Sequence, residues 1–217
     1  MFFIFKCVII YWNGVIIVTL PNKLTMFRII LIPAMVVIAY IPFFNVNFLG
    51  SISLANFINL IIFAVASFTD FLDGSIARKR NLVTTFGKFA DPLADKLLVI
   101  SAMVVLCTQI QCYAPIYTWF IPGWVIIVIL CREFIVSGIR LVAVERGNVI
   151  AAGFLGKLKT ATTMVAIIFL FLYQIELFDI PLFGYIGAVL MYVALLFTIL
   201  SGVEYFWKNR KVILESI

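Results

Sequence analysis

The chain has 217 residues, of which 65% are hydrophobic and 12% are charged, and it contains no histidine. Soluble domains are about 45–50% apolar and about 25% charged, so a soluble globular protein is excluded. The net charge of +6 is carried by short basic clusters between apolar segments. This pattern favours contact with anionic lipid headgroups and argues against a nucleic-acid partner.

Cysteine and histidine limit the chemistry that the chain can perform. Its four cysteines form no C-x-x-C pair, which excludes a zinc ribbon and a dithiol redox site. Histidine is the usual general base near neutral pH and a common metal ligand. Any catalysis therefore has to use carboxylates, lysine, tyrosine or hydroxyl groups.

The first segment of the chain allows several interpretations. Residues 1–19 are apolar with one lysine, and no small-residue cleavage site follows them as it would after a signal peptide. A signal peptide, an interfacial segment, an extra hydrophobic anchor and an upstream extension of the start all stay open. The predicted organisation is an N-terminal apolar extension (1–19), one membrane domain (20–211) and a C-terminal tail (212–217).

Six apolar stretches are each long enough to span a bilayer, which requires about 20 residues. They predict an all-α integral membrane protein built as a bundle of six transmembrane helices, with the N-terminal segment beside the membrane. The predicted helices cover residues 25–44, 54–78, 87–110, 118–144, 153–175 and 182–206.

Lysine and arginine predict the orientation of this bundle. The gaps at 45–53, 111–117 and 176–181 contain neither residue, whereas the alternate gaps and both flanks of the bundle are basic. Because basic loops stay in the cytosol, both termini are predicted to be cytosolic.

Four aspartates lie in the second and third predicted helices, where carboxylates are costly. Each costs about 2.5–3.5 kcal/mol at the centre of a membrane helix. Asp70 and Asp73 lie one turn apart on one face, as do Asp91 and Asp95 on the next helix. In an antiparallel helix pair, the two deeper aspartates would face each other, and so would the two shallower ones. Because hard oxygen ligands suit Mg²⁺ or Mn²⁺, the arrangement predicts a two-metal site.

Other interpretations of these acids stay open. They could form interfacial salt bridges with neighbouring basic residues, in which case Asp95→Asn would change only stability. They could also belong to a divalent cation transporter or a proton-coupled one. Gly74 and Gly87 lie one turn from an aspartate and favour a ligand site, because small residues allow close approach of a helix or a bulky ligand.

The spacing of these residues matches a family signature. Residues 70–95 read DFLDGSIARKRNLVTTFGKFADPLAD and fit D-x2-D-G-x2-A-R-x8-G-x3-D-x3-D at every fixed position. The chain therefore resembles the CDP-alcohol phosphotransferases. The resemblance implies a six-helix membrane bundle that forms a homodimer.

The resemblance also implies roles for individual residues. Two divalent ions, Mg²⁺ or Mn²⁺, would be held by Asp70, Asp73, Asp91 and Asp95, and Asp95 would also act as the general base. The positions that match contacts to CDP-diacylglycerol are Asn22, Thr25, Asp70, Asp73, Gly74, Arg78, Thr84 and Gly87.

Three further segments narrow the resemblance within the family. Residues 20–28, 131–140 and 147–160 resemble bacterial members that use sn-glycerol 3-phosphate as the acceptor alcohol. The implied reaction moves the phosphatidyl group of CDP-diacylglycerol to that alcohol, in the bacterial inner or plasma membrane, with the active site facing the cytosol. Inositol phosphate and serine stay open as acceptors. The cations predicted to bind the acceptor phosphate are Arg28, Arg132, Arg140, Lys157 and Lys159.

Overall fold

In the residues that the computed structural model describes, six α-helices follow a pair of short strands. These residues are 9–11, 14–16, 20–41, 44, 53–80, 85–145, 153–175 and 181–214. The strands are β1 (Ile9–Tyr11) and β2 (Gly14–Ile16). The helices are α1 (Leu20–Tyr40), α2 (Leu54–Arg80), α3 (Thr85–Tyr113), α4 (Gly123–Glu145), α5 (Phe154–Gln174) and α6 (Leu182–Leu214).

The strand pair departs from the all-α expectation. β1 and β2 are antiparallel, with Ile9 opposite Ile16 and Tyr11 opposite Gly14. Asn-Gly between apolar residues is a sequence signal for a hairpin, and Asn13-Gly14 has it, although Gly14 itself belongs to β2 and is paired with Tyr11. The apolar composition of residues 1–19 conceals this signal, because membrane anchors have the same composition.

The bounds of α1 correct the prediction of 25–44. The helix begins at Leu20 and ends at Tyr40. Pro21 suits the first turn, where a backbone N–H needs no helical partner. Pro42 restricts the residue before it to extended conformations, so the helix ends before Ile41.

The fourth and sixth predicted helices also need correction. Residues 115–120 form a separate 3-10 helix, so the fourth helix begins at Gly123 instead of 118. Ile121 between them has φ −147° and ψ 76°, which lies outside the α-helical region that Pro122 disfavours for the residue before it. α6 continues to Leu214 rather than ending at 206. The bounds of α2, α3 and α5 agree with the prediction to within one turn.

Four stretches of the described chain are long and apolar enough to cross a bilayer. They are Ala90–Cys112, Pro115–Arg140, Phe154–Gln174 and Leu182–Lys208. The apolar described parts of α1 and α2 are shorter, at Thr25–Tyr40 and Leu54–Thr69. These long apolar helices agree with an integral membrane protein, whereas the six spans and the orientation stay predictions.

Helix α1 packs against both α2 and α3, and α6 packs along α5 and α4. The apolar core between the helices includes Met35, Phe63, Leu106 and Phe171. Within it, the buried Gln109 side chain of α3 donates a 2.8 Å hydrogen bond from Nε2 to the carbonyl oxygen of Ala39. This packing positions the N-terminal part of α1 against the aspartate-bearing part of α3.

The contact between α5 and α6 depends on a glycine, which makes it testable. A Cβ atom on Gly187 would lie 2.8 Å from Leu170 Cγ and 3.1 Å from its backbone nitrogen. Because backbone atoms cannot move aside easily, we expect Gly187→Ala to destabilise the protein by about 1–3 kcal/mol, as overpacking does. A lower midpoint of thermal unfolding in detergent would show this loss.

Gly138→Ala on α4 is the matched control. A Cβ atom at position 138 would meet nothing within 4 Å. Since alanine is favoured over glycine inside a helix by about 0.5–1 kcal/mol, its midpoint should stay equal or rise. Equal losses in the two variants would contradict the close approach of α5 and α6.

Candidate active site

Two polar contacts join α1 to the aspartates of α3. Thr25 Oγ1 donates a hydrogen bond to Asp91 Oδ1, and Arg28 Nη1 forms an ion pair with Asp95 Oδ1. The partners are spaced by about one turn on each helix, which is why two contacts form in register. The Arg28 side chain is 1% exposed, whereas that of Asp95 is 37% exposed. Asp95 therefore has a buried cationic partner on one side and an open approach on the other.

The donor set at this contact suits a hard divalent cation. Asp91, Asp95 and Thr25 present oxygen atoms, the ligand type that Mg²⁺ and Mn²⁺ prefer. Within the described residues, no three Asp, Glu, Cys or His side chains group closely enough to hold a metal ion. Asp70 and Asp73 lie on α2, but their side chains are outside the described set, so the predicted facing of the aspartate pairs stays a prediction.

Several other residues predicted to contact CDP-diacylglycerol are also among those whose side chains the structure does not describe. Gly74 lies in α2 and Gly87 in α3. The side chains of Asn22 and Arg78 and the whole of Thr84 are among the residues that the structure does not describe. Of this predicted set, Thr25 is therefore the residue whose side-chain contact is established, and it binds Asp91.

A second polar cluster centres on Glu133 of α4. Its Oε1 atom accepts a 3.1 Å hydrogen bond from Arg132 Nη1 and also pairs with Lys159 Nζ of α5. Arg132 in turn donates a 2.8 Å hydrogen bond from Nη2 to Ser201 Oγ of α6. The Glu133 carboxylate thus joins α4 to α5, and Arg132 joins the same cluster to α6.

Lys96 extends this cluster to α3. Its Nζ atom donates to Ser137 Oγ, and that hydroxyl donates a 2.6 Å hydrogen bond to the carbonyl oxygen of Glu133. Lys96 was not predicted as a site residue. The available signal was its position directly after Asp95, at the start of the long apolar part of α3, where a lysine is costly.

A cavity of about 250 Å³ connects the two clusters. It lies between α3, α4 and α5, and its deeper wall is apolar, with Val99, Met103 and Ile129 among the lining residues. A small ligand held there would meet both hydrocarbon and charged groups. The polar lining residues are Asp95, Lys96, Glu133, Lys159, Thr160 and Thr163.

A larger cavity of about 480 Å³ lies between α4 and α6. Its lining is almost entirely apolar, apart from Arg132 and Thr198, and contains no carboxylate among the described residues. The smaller cavity is therefore the better candidate for chemistry, because it alone of these two contains Asp95.

The five cations predicted to bind the acceptor occupy different surroundings. Lys159 lines the smaller cavity. Arg28 and Arg132 do not line it, but each forms an ion pair with a residue that does: Arg28 with Asp95, and Arg132 with Glu133. The Arg140 guanidinium lies over the Tyr205 ring, 5.6 Å from its centroid, and Lys157 is exposed. The structure thus brings Lys159 and the unpredicted Lys96 to the cavity and leaves Arg140 and Lys157 outside its lining.

Comparison with known proteins decides the family. Residues 18–200 match the family model described as CDP-alcohol phosphatidyltransferase. The chain belongs to this family. The match includes the aspartates of α2 and α3 and all the lining residues of the smaller cavity, so the resemblance inferred from the signature is confirmed.

Several bacterial members of the family are similar to this CDP-alcohol phosphatidyltransferase over most of their length. A Bacillus subtilis (strain 168) protein is 44% identical over 200 residues, which cover 91% of this chain and 98% of the relative. A Rickettsia typhi protein is 37% identical over 193 residues, covering 86% and 94%. A Wigglesworthia glossinidia brevipalpis protein is 32% identical over 191 residues, covering 87% and 93%. All three are named CDP-diacylglycerol–glycerol-3-phosphate 3-phosphatidyltransferase.

Proposed function

We propose that this protein transfers the phosphatidyl group of CDP-diacylglycerol to sn-glycerol 3-phosphate, with phosphatidylglycerol phosphate and CMP as products. The observation that carries the proposal is the cavity in which Asp95 of α3 meets Lys96, Glu133 and Lys159. The shared name of the relatives supports the same donor and acceptor. The protein is then an enzyme of phospholipid biosynthesis.

The aspartates of α2 and α3 are proposed to form the metal site. The family generally depends on divalent metal ions, and the oxygen donors at the contact of α1 with α3 fit such ions. Asp70, Asp73, Asp91 and Asp95 would hold two ions, Mg²⁺ or Mn²⁺. Bound there, the ions would stabilise negative charge on the diphosphate and make CMP a better leaving group.

Asp95 is proposed to accept the proton of the attacking hydroxyl. It is partly exposed and lines the cavity, and its pairing with the buried Arg28 holds the carboxylate in place. In a chain without histidine, a carboxylate is a suitable general base when it lies within reach of the hydroxyl. Thr25 supports Asp91 in the same way, so α1 orients two of the four aspartates.

The donor nucleotide is proposed to lie against the N-terminal part of α1 and the facing segment of the signature. Carried over from the family resemblance, its contacts are Asn22, Thr25, Asp70, Asp73, Gly74, Arg78, Thr84 and Gly87.

The acceptor phosphate is proposed to bind the cations around the smaller cavity. Lys96, Arg132 and Lys159 surround one carboxylate, Glu133, so the cluster keeps a positive charge that attracts a phosphate dianion. Arg28, Arg140 and Lys157 would add to this field from farther away. Serine has no phosphate for these cations, and between the two phosphates the shared name of the relatives favours glycerol 3-phosphate.

We further propose a multi-pass protein of the bacterial inner or plasma membrane. All six helices would cross the bilayer, both termini and the active site would face the cytosol, and two copies would form a homodimer. The four long apolar helices and the basic gaps between alternate spans support this arrangement.

The proposed reaction predicts a specific pattern of CMP release. Purified protein in detergent, supplied with CDP-diacylglycerol and Mg²⁺, should release CMP with sn-glycerol 3-phosphate but not with inositol phosphate or serine. A chelator should stop the release, and added Mg²⁺ or Mn²⁺ should restore it. Initial rates of CMP formation measure each case.

Other outcomes would replace parts of the proposal. CMP release with another acceptor would support the reaction type of the family and show that the acceptor is not glycerol 3-phosphate. No release with any acceptor, together with divalent cation flux into vesicles containing the protein, would support the transporter.

A further inference from the structure

Glu133 contains an acceptor atom that none of the described residues uses. Both cationic partners of this side chain, Arg132 and Lys159, bond to the same oxygen, Oε1. Among the residues that the structure describes, Oε2 of Glu133 has no hydrogen-bond or ion-pair partner. A carboxylate can accept several hydrogen bonds, and Oε2 is open to a molecule in the cavity because it is not among the fully buried atoms without a partner.

The position of Glu133 gives this oxygen access to a ligand. The side chain is 17% exposed, and Glu133 lines the same cavity as Asp95 and Lys159. The cavity thus has two carboxylates and two lysines among its described lining residues, Lys96 being the second lysine. A molecule that fits this set needs a phosphate for the lysines and hydroxyl groups for the carboxylates.

We propose that Oε2 of Glu133 accepts a hydrogen bond from the second hydroxyl of the acceptor alcohol, the one on C2 of glycerol 3-phosphate. This inference rests on the proposed function. Lys96 and Lys159 neutralise the phosphate, and Asp95 accepts the proton of the reacting hydroxyl. The C2 hydroxyl is then the hydrogen-bond donor of the acceptor that still needs a partner. A carboxylate oxygen repels phosphate oxygens and accepts from hydroxyls, which orients the acceptor with its phosphate away from Glu133 Oε2. Glu133 is then a specificity-determining residue.

A pair of acceptors that differ by this hydroxyl tests the proposal. 3-Hydroxypropyl phosphate has the phosphate and the reacting hydroxyl of glycerol 3-phosphate but lacks the C2 hydroxyl. The measured quantity is the ratio of kcat/KM for the two acceptors, which does not depend on the fraction of active protein. A hydrogen bond to a charged group corresponds to a preference of about 10- to 100-fold for glycerol 3-phosphate in the unmodified protein.

Substitution of Glu133 should remove this preference. In Glu133→Ala the ratio should fall to about 1–3, because the hydroxyl has lost its partner. Glu133→Gln keeps the size of the side chain and replaces the alanine variant if that variant does not fold. In Glu133→Gln the ratio of kcat/KM for the two acceptors should fall at least threefold, because the charge of the hydrogen-bond acceptor is lost. The matched control is Glu204→Gln, which changes a carboxylate paired with Lys208 outside the cavity and should keep the preference.

The outcomes separate this inference from the proposed function. If the unmodified protein releases CMP with neither acceptor, the proposed function fails. If it uses glycerol 3-phosphate but shows no preference, or if both Glu133 variants lose activity equally on the two acceptors, then Glu133 has only a structural role and the inference is overturned.

Discussion

Asp95→Asn is expected to lower the rate of CMP release by about 10²- to 10⁴-fold, the usual contribution of a positioned general base. Asparagine has nearly the same size and can still accept a hydrogen bond from Arg28, so the contact between α1 and α3 should persist. What is lost is the negative charge and the ability to take a proton. The rate should therefore fall steeply, whereas the thermal unfolding midpoint should fall only as far as the buried Arg28 depends on a charged partner.

Initial rates and unfolding midpoints measured on the same preparation test this expectation. Glu204→Gln is the control, because it makes the same chemical change at a carboxylate of α6 that pairs with Lys208. Its rate should equal that of the unmodified protein. Full activity of Asp95→Asn would show that this aspartate is neither the base nor an essential metal ligand, and it would favour a salt-bridging role.

Lys159→Met is expected to reduce kcat/KM for glycerol 3-phosphate by about 100-fold or more, mainly through a higher KM. Truncating one partner of a buried, hydrogen-bonded charge pair at a binding site costs about 2–5 kcal/mol. Lys159 is such a residue, because it lines the cavity and only 8% of its side chain is exposed. Steady-state kinetics with the acceptor varied at saturating CDP-diacylglycerol measures the effect.

The same substitution should also lower stability. Removing one partner of a buried ion pair costs about 3–5 kcal/mol, but here Glu133 is partly exposed and keeps Arg132, so we expect a smaller loss of about 1–3 kcal/mol. Glu133→Gln combined with Lys159→Met should restore much of the stability and none of the acceptor affinity. The double variant therefore distinguishes the effect of Lys159 on acceptor binding from its effect on stability.

Lys157 and Lys208 provide comparisons for Lys159. Lys157 is exposed and lies two residues earlier on the same helix. The factor by which Lys157→Met lowers kcat/KM should therefore be at least ten times smaller than the factor for Lys159→Met. Lys208 is exposed and paired with Glu204, and Lys208→Met should match the unmodified protein. Equal losses at positions 157 and 159 would show that the cations act only through their combined field and that the cavity does not hold the phosphate.

The contact between α1 and α3 brings residues that are far apart in the chain to the proposed site. Thr25 and Arg28 bind aspartates that are 66 and 67 residues away in the chain. Because Arg28 contacts Asp95, its effect on the acceptor is exerted through the orientation of that carboxylate. The structure thus gives Arg28 a contact that its predicted role as a phosphate ligand does not include.

Hydropathy predicted most of the helices. Long apolar runs place helices reliably, because a bilayer requires about 20 apolar residues per span. Helix ends were predicted less well, since Pro42 and Pro122 act on single residues that a hydropathy window averages out. The short strands before α1 were missed because β-branched residues are as apolar as those of a membrane anchor.

The aspartate signature, and with it the family, was determined by the sequence alone, because the spacing of residues along two helices fixes which of them share a face. Tertiary structure alone decided which cations meet the carboxylates. Lys157 and Lys159 look equivalent in the sequence, yet a rotation of about 200° separates them on a helix, so one is exposed and the other lies in the cavity. The pairing of Lys159 with Glu133, and the place of Lys96 beside them, depend on how α3, α4 and α5 pack. Residue spacing within one helix cannot determine that packing.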